Sequence, residues 1–168
     1  MAGFLKQLHP IQLNPQTGEP VLRLPEPFSN IILTPPRASD VASVVENLND
    51  PKVYSTIMGP PWPYREEHAV SWLNMVIGPC DKLLAELRGY AEAHPEGTPK
   101  IVGGCPVRIL REVQPDGTEL YLGDLGVDRC GFPGVLDTAE RARLSKENDA
   151  RDVGDERIVW CLGGMTLL

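Results

Sequence analysis

Two carboxylates stand where a side chain could take a proton from a substrate. Asp124 lies in a strand-like run, Leu120 to Cys130, beside a change of phase: apolar residues fall at Leu120 and Leu122, then at Leu125 and Val127. One extra residue in the ladder accounts for such a shift, so the pattern predicts a β-bulge at Gly123 with Asp124 next to it. Glu156 precedes a second alternating run, Ile158 to Leu162. A strand carboxylate can act as a general base directly or through water, and Asp124 is the first candidate, Glu156 the second. The competing reading of both is a solvated polar residue. His9 and His94 fall in loops and His68 in the first turn of a helix, none with a partner at metal or triad spacing. Cys80, Cys105, Cys130 and Cys161 stand far apart without a C-x-x-C pair, which predicts reduced, mostly packing thiols and no metal site.

The chain that must position these groups has 168 residues, enough for one core, and a net charge of −7. An acidic balance disfavours binding to a phosphate backbone, which needs clustered Lys and Arg. The longest apolar runs fall well short of the roughly 18 residues of a spanning helix, and Met1 to His9 lacks a secretory pattern, so a soluble, intracellular, cytoplasmic protein is expected.

Residues 1–30 form a segment punctuated by Pro10, Pro15, Pro20, Pro25 and Pro27, with a possible edge strand over Val21 to Leu24 that pairs with Ile31 to Leu33. After that strand, Pro35-Pro36 ends the extended run and Ser39 or Asp40 offers an N-cap. Val41, Val44, Val45 and Leu48 then recur at helical spacing until Asn49-Asp50-Pro51. Ala69, Trp72, Leu73, Val76 and Ile77 mark a second amphipathic helix; Gly78-Pro79 predicts a break or kink before Leu83, Leu84, Leu87 and Tyr90 resume it. From Gly104 the period becomes two. Val107, Ile109 and Val113 share one face, Arg108 and Glu112 the other, and Gln114-Pro115-Asp116-Gly117-Thr118 reverses the chain into the strand that carries Asp124. Cys130 to Arg157 is polar, opens a short surface helix at Asp137-x-x-Glu140 and should bury little.

The succession of a strand ending in Leu33-Thr34-Pro35-Pro36-Arg37, Ser39-Asp40 opening a helix, Asn49-Asp50-Pro51, and the loop Gly59-Pro60-Pro61-Trp62-Pro63-Tyr64 resembles the N-terminal half of the GNAT superfamily of acyl-CoA-dependent N-acetyltransferases. The branch it is most similar to holds the ribosomal-protein N-terminal acetyltransferases and fungal relatives. The resemblance continues to about Gly163, making residues 31–168 the N-terminal part of such a domain. It implies an α+β fold with an antiparallel sheet of about four strands and two helices on one face. It also implies acetyl-CoA as co-substrate and a small-molecule or protein amine as acceptor, while the charge and the short apolar runs make neither nucleic acid nor membrane an expected partner. By the resemblance, Trp62 and Tyr64 wall the acceptor entrance, although Pro and aromatic rings packed as a rigid connector are the competing reading. By the same resemblance the backbone at Cys161, Leu162 and Gly163 pairs with the pantetheine arm.

One device of the family does not occur. No Gln/Arg-x-x-Gly-x-Gly/Ala loop follows the last strand, and the near misses Gln114-x-x-Gly117-x-Glu119 and Arg151-x-x-Gly154-x-Glu156 place a carboxylate where a pyrophosphate would be repelled. The expectation is an incomplete domain that binds acetyl-CoA weakly and turns over little or not at all. The rival is a non-catalytic remnant, an interaction module or incomplete product, that associates through an exposed last strand.

Overall fold

A computed structural model describes residues 7–166. It is α+β: six antiparallel strands lie in the order β1 (Gln12–Leu13), β2 (Pro20–Arg23), β3 (Ile31–Thr34), β4 (Ile109–Val113), β5 (Glu119–Arg129) and β6 (Trp160–Thr166). Six strands replace the expected four or so because the Pro-rich segment supplies two. The edge strand foreseen at Val21 to Leu24 pairs with β3 through Leu22 and Arg23, and Gln12–Leu13 pairs in turn with Pro20–Val21. Prolines at strand starts leave such short ladders intact, since the missing N–H falls at their margin.

Between β3 and β4 run α1 (Val41–Asn49), the single turn α2 (Pro51–Tyr54) and α3 (Glu66–Ala93). Val44, Leu48, Val53, Tyr64 and Ala69 form a buried cluster, with Val41, Val45, Trp72, Tyr121 of β5 and Met165 of β6 packed against it. The helical stripe read from the sequence therefore meets the sheet at its β5–β6 end. Each Val or Leu buried in this way contributes about 1.5–3 kcal/mol.

Two local expectations are corrected. Ser39 is exposed, and Asp40 does not cap α1: its carboxylate accepts from the Arg37 N–H (2.8 Å) and takes both oxygens to the Arg111 guanidinium (2.8 and 2.9 Å). A buried cation 71 positions away outbids the local helix end for that side chain. Likewise α3 runs unbroken through Pro79. Pro79 lies on the exposed side of the helix, where water can reach the Met75 carbonyl that its missing N–H leaves free.

The hairpin turn forms as read, with Gly117 at φ +85° and Asp116 accepting from Thr118. The phase change in β5 is a bulge. Leu110 pairs with Gly123 and Arg111 with Tyr121, so Leu122 is the extra residue, one place before the expected Gly123. The polar stretch carries α4 (Thr138–Asp149), capped by Asp137 through the Glu140 N–H (2.8 Å). Most of α4 is exposed, but Asn148 is fully buried. Its amide donates to Cys130 O (3.2 Å) and Val159 O (2.8 Å), and its Oδ1 accepts from Val159 N (2.9 Å). The Val159 carbonyl also accepts from the Cys130 N–H (2.8 Å), while Ile158 N–H turns back to Asp155 O (3.0 Å), and β6 starts at Trp160, later than the sequence pattern suggests.

Candidate functional site

The site is built where α1, the loop after α2, and the β5–β6 pair converge. The bulge turns the Leu122 carbonyl out of the ladder, and the Asn47 amide of α1 donates to it (3.1 Å). Gly123 and Gly164 bring β5 and β6 together more closely than any side chain would allow: a Cβ on Gly123 would collide with the Met165 carbonyl, and one on Gly164 with the Asp124 carbonyl. Asp124, opposite Met165 in the ladder, is thereby fixed beside the bulge.

Asp124 is buried, at 6% exposure, and both its oxygens accept from Arg108, at 2.6 Å from Nε and 3.0 Å from Nη2. The Asp124 hydrogen bond raises the Arg108 pKa, with burial opposing it. Arg108 pairs with Asp124, and its guanidinium lies 5.8 Å from the Trp72 ring centroid of α3. Each Asp124 oxygen accepts one bond from Arg108 and keeps a second lone pair, the position at which a proton could be taken. Glu156 sits in an exposed turn four residues before β6.

The aromatic loop divides. The Asn49 side chain accepts from the Tyr64 N–H (2.9 Å) and donates to the Tyr64 carbonyl (2.7 Å), a two-point clamp that turns Tyr64 into the core at 6% exposure. Trp62 remains outside, 67% exposed, with its ring 5.6 Å from that of Tyr54. Trp62 and Tyr64 therefore do not flank one groove as expected. Tyr64 instead joins Val44, Asn47, Leu48, Pro60, Trp72, Tyr121 and Met165 around a cavity of about 80 Å³. Asp124 is not in that wall but is linked to it through Arg108 and Trp72. Burial pushes the phenols of Tyr64 and Tyr121 up, so both keep their protons throughout the neutral range.

Sequence reasoning did not single out Asn47, Arg108, Trp72 or Tyr121 for the site. A polar Asn47 directly before the last stripe residue, Leu48, was the one available signal. Cys161 is half-buried, while Leu162 and Gly163 are exposed on β6, the final strand of the sheet, whose outer edge no described strand pairs. Among the described residues no cluster of metal-ligating side chains occurs, and no helix is long and apolar enough to cross a membrane. No family model, curated protein or solved structure matches the chain.

Proposed function

We propose that the chain carries the acceptor side of a GNAT-like N-acetyltransferase, moving an acetyl group from acetyl-CoA to an amine. The observation that carries this reading is the convergence of a walled cavity, a bulge-fixed carboxylate and an unpaired strand edge at one end of the sheet. In the proposed reaction the amine nitrogen attacks the thioester carbonyl, a C–N bond forms and the C–S bond breaks. The proton lost by nitrogen passes to Asp124, directly or through water, and the sulfur leaves as CoA thiolate to be protonated. Arg108 positions Asp124. The backbone at Cys161, Leu162 and Gly163 would pair with the pantetheine amides, as an added strand pairs with a sheet edge. Tyr64 lines the acceptor cavity, and Trp62 stands at the loop outside it. Glu156, exposed and away from the cavity wall, is the weaker base candidate.

The 168 residues contain no Gly-rich pyrophosphate loop. Losing two charge-assisted hydrogen bonds at about 1.5–3 kcal/mol each weakens acetyl-CoA binding by about two to four orders of magnitude. NMR titration of the chain with acetyl-CoA should therefore show weak, saturable shifts concentrated on β6 amides, reproduced by pantetheine alone and accompanied by little turnover. Shifts elsewhere, or none, would overturn the reading.

The same open edge favours a second reading, an interaction module that self-associates through β6. Val159, Trp160 and Leu162 are 42%, 41% and 67% exposed there. A mass that rises with concentration in sedimentation and returns to that of the monomer in Leu162→Lys would support it, because a charge on an edge strand blocks pairing.

A further inference from the structure

The wall of the cavity beneath the aromatic loop carries three hydrogen-bond donors that the fold does not use. Tyr64 makes its hydrogen bonds through its backbone, to Asn49, and its hydroxyl has no partner among the described residues although the residue is only 6% exposed. The Tyr121 hydroxyl and the Trp72 indole N–H, in the same wall, have none among them either. These three atoms are not sealed off: among the described residues, the unpartnered side-chain atoms shut away from solvent are Gln7 Oε1 and Asn47 Oδ1. Burial raises both phenol pKa values, so each hydroxyl keeps its proton and can donate it.

An occupant must therefore bring acceptors, because the indole N–H can only donate and an unmet donor in an enclosed place is costly. Water can meet that need, but one water requires about 10–15 Å³ and the cavity holds about 80 Å³. Further waters would stand against Val44, Leu48, Pro60 and Met165, whose side chains offer no donor and no strong acceptor. Waters held so poorly are displaced by an alkyl group at a gain. Charge is disfavoured. None of the eight wall residues is charged, and the guanidiniums beside the Trp72 and Tyr121 rings, those of Arg108 and Arg111, are matched by Asp124 and Asp40. An ion of either sign would be buried without a free counter-charge. A carbonyl oxygen meets these conditions: it is uncharged and its two lone pairs can accept from two donors at once. The volume is about half that of a cavity that takes benzene, which sets the buried part at a few heavy atoms.

From these donors, this lining and this volume we infer that the cavity binds small uncharged carbonyl compounds, amides foremost, the carbonyl oxygen accepting from the Tyr64 and Tyr121 hydroxyls and the alkyl part lying against Val44, Leu48 and Met165. The inference rests on the acyltransferase reading insofar as the natural occupant is then the amide product. The binding step itself requires no acetyl-CoA, so the two can fail separately.

The test titrates the full chain, without acetyl-CoA, with N-methylacetamide while NMR follows the Trp72 indole N–H and the Met165 methyl. The expected result is saturable shifts at both, with binding about fivefold weaker in Tyr64→Phe and in Tyr121→Phe, the loss expected for one net hydrogen bond. N-methylthioacetamide has nearly the same shape, a weaker acceptor and a stronger N–H donor, and should bind less tightly to the parent chain. Should either Phe variant fail to fold, the parent's ratio between the two probes decides alone. Undiminished binding in either Phe variant, a thioamide that binds as tightly as the amide or more so, acetate that matches the amide, or shifts that do not saturate would overturn the inference. Amide binding without any acetyl transfer to butylamine would uphold the site and count against the acyltransferase reading. Acetyl transfer by a chain whose cavity ignores the amide would overturn the inference alone.

Discussion

Two arginines three residues apart, Arg108 and Arg111, each bind a buried carboxylate and lie against rings of the same cavity wall, yet their surroundings differ. Arg111 is 4% exposed, with Asp40 at 5%; it also donates to Thr34 Oγ1 (2.9 Å) and stands 3.9 Å from Glu119. Arg37 bonds Glu19 and Glu119 next to it, tying the N-terminal hairpin to β5. The Arg111 pair is thus enclosed. The side chain of Arg108 is 16% exposed and that of Asp124 8%, and the outer edge of β6 beyond them is paired by no described strand. The difference teaches that one type of ion pair can be a fastening where both partners are buried, and a positioning device where the cation stays nearer solvent.

The comparison is tested most severely by removing each carboxylate. Asp40→Ala leaves Arg111 charged and buried, a loss of about 3–5 kcal/mol for an uncompensated interior cation. Asp124→Ala should cost less, about 2 kcal/mol, because Arg108 can turn toward water. Urea denaturation of both variants measures the gap. Equal losses would mean that the two knots are both structural, and Asp124 would lose its distinction as the movable partner.

The same pair shows what the sequence could and could not disclose. Periodicity located α1, α3, the β4–β5 hairpin and the β5 bulge, because each is set by neighbours within a turn or a pleat. Asp40 was read as a cap because its partner lies 71 residues away; of the break or kink read at Gly78-Pro79 the break does not occur, because the solvent-facing position of Pro79 is a tertiary fact. The site was less legible. Asp124 was found through the phase change, but its pairing with Arg108, 16 residues away, has no local signature. Trp62 and Tyr64 looked equivalent until Asn49 clamped one of them inward. The cavity is made by residues from α1, α3, β5, β6 and a loop, and no local pattern encodes such a meeting.

A smaller effect distinguishes two adjacent glycines at the open end. Gly164→Ala drives a methyl into the Asp124 carbonyl and should cost about 1–3 kcal/mol, as overpacking does. Gly163→Ala meets nothing within 4 Å and should stay within about 0.5 kcal/mol of the parent. Hydrogen exchange at β5–β6 amides should rise in the first and hold in the second. Equal effects would show that the strands do not depend on close approach there, and that Asp124 is held by Arg108 alone.

The smallest effect concerns Cys80, buried in α3, where burial pushes its thiol pKa up from 9.0 to about 11 while nearby Arg108 pulls the other way. The folded protein thus keeps the thiol proton to about pH 11, whereas the unfolded chain gives it up from about pH 9. Between those limits the native state binds more protons than the unfolded one, so stability falls as pH rises. With that pair of values the loss reaches about 1.4 kcal/mol by pH 10 and is absent below about pH 8. Cys80→Ser removes the ionisation, and its stability should decline less steeply than the parent's over pH 9–11, whatever constant offset the substitution brings. Tyr121, whose phenol is also pushed up by burial, titrates in both proteins and cancels in the difference. Parallel slopes would mean that the Arg108 guanidinium lowers the thiol as much as burial raises it. The Cys80 thiol would then be governed by its neighbouring cation.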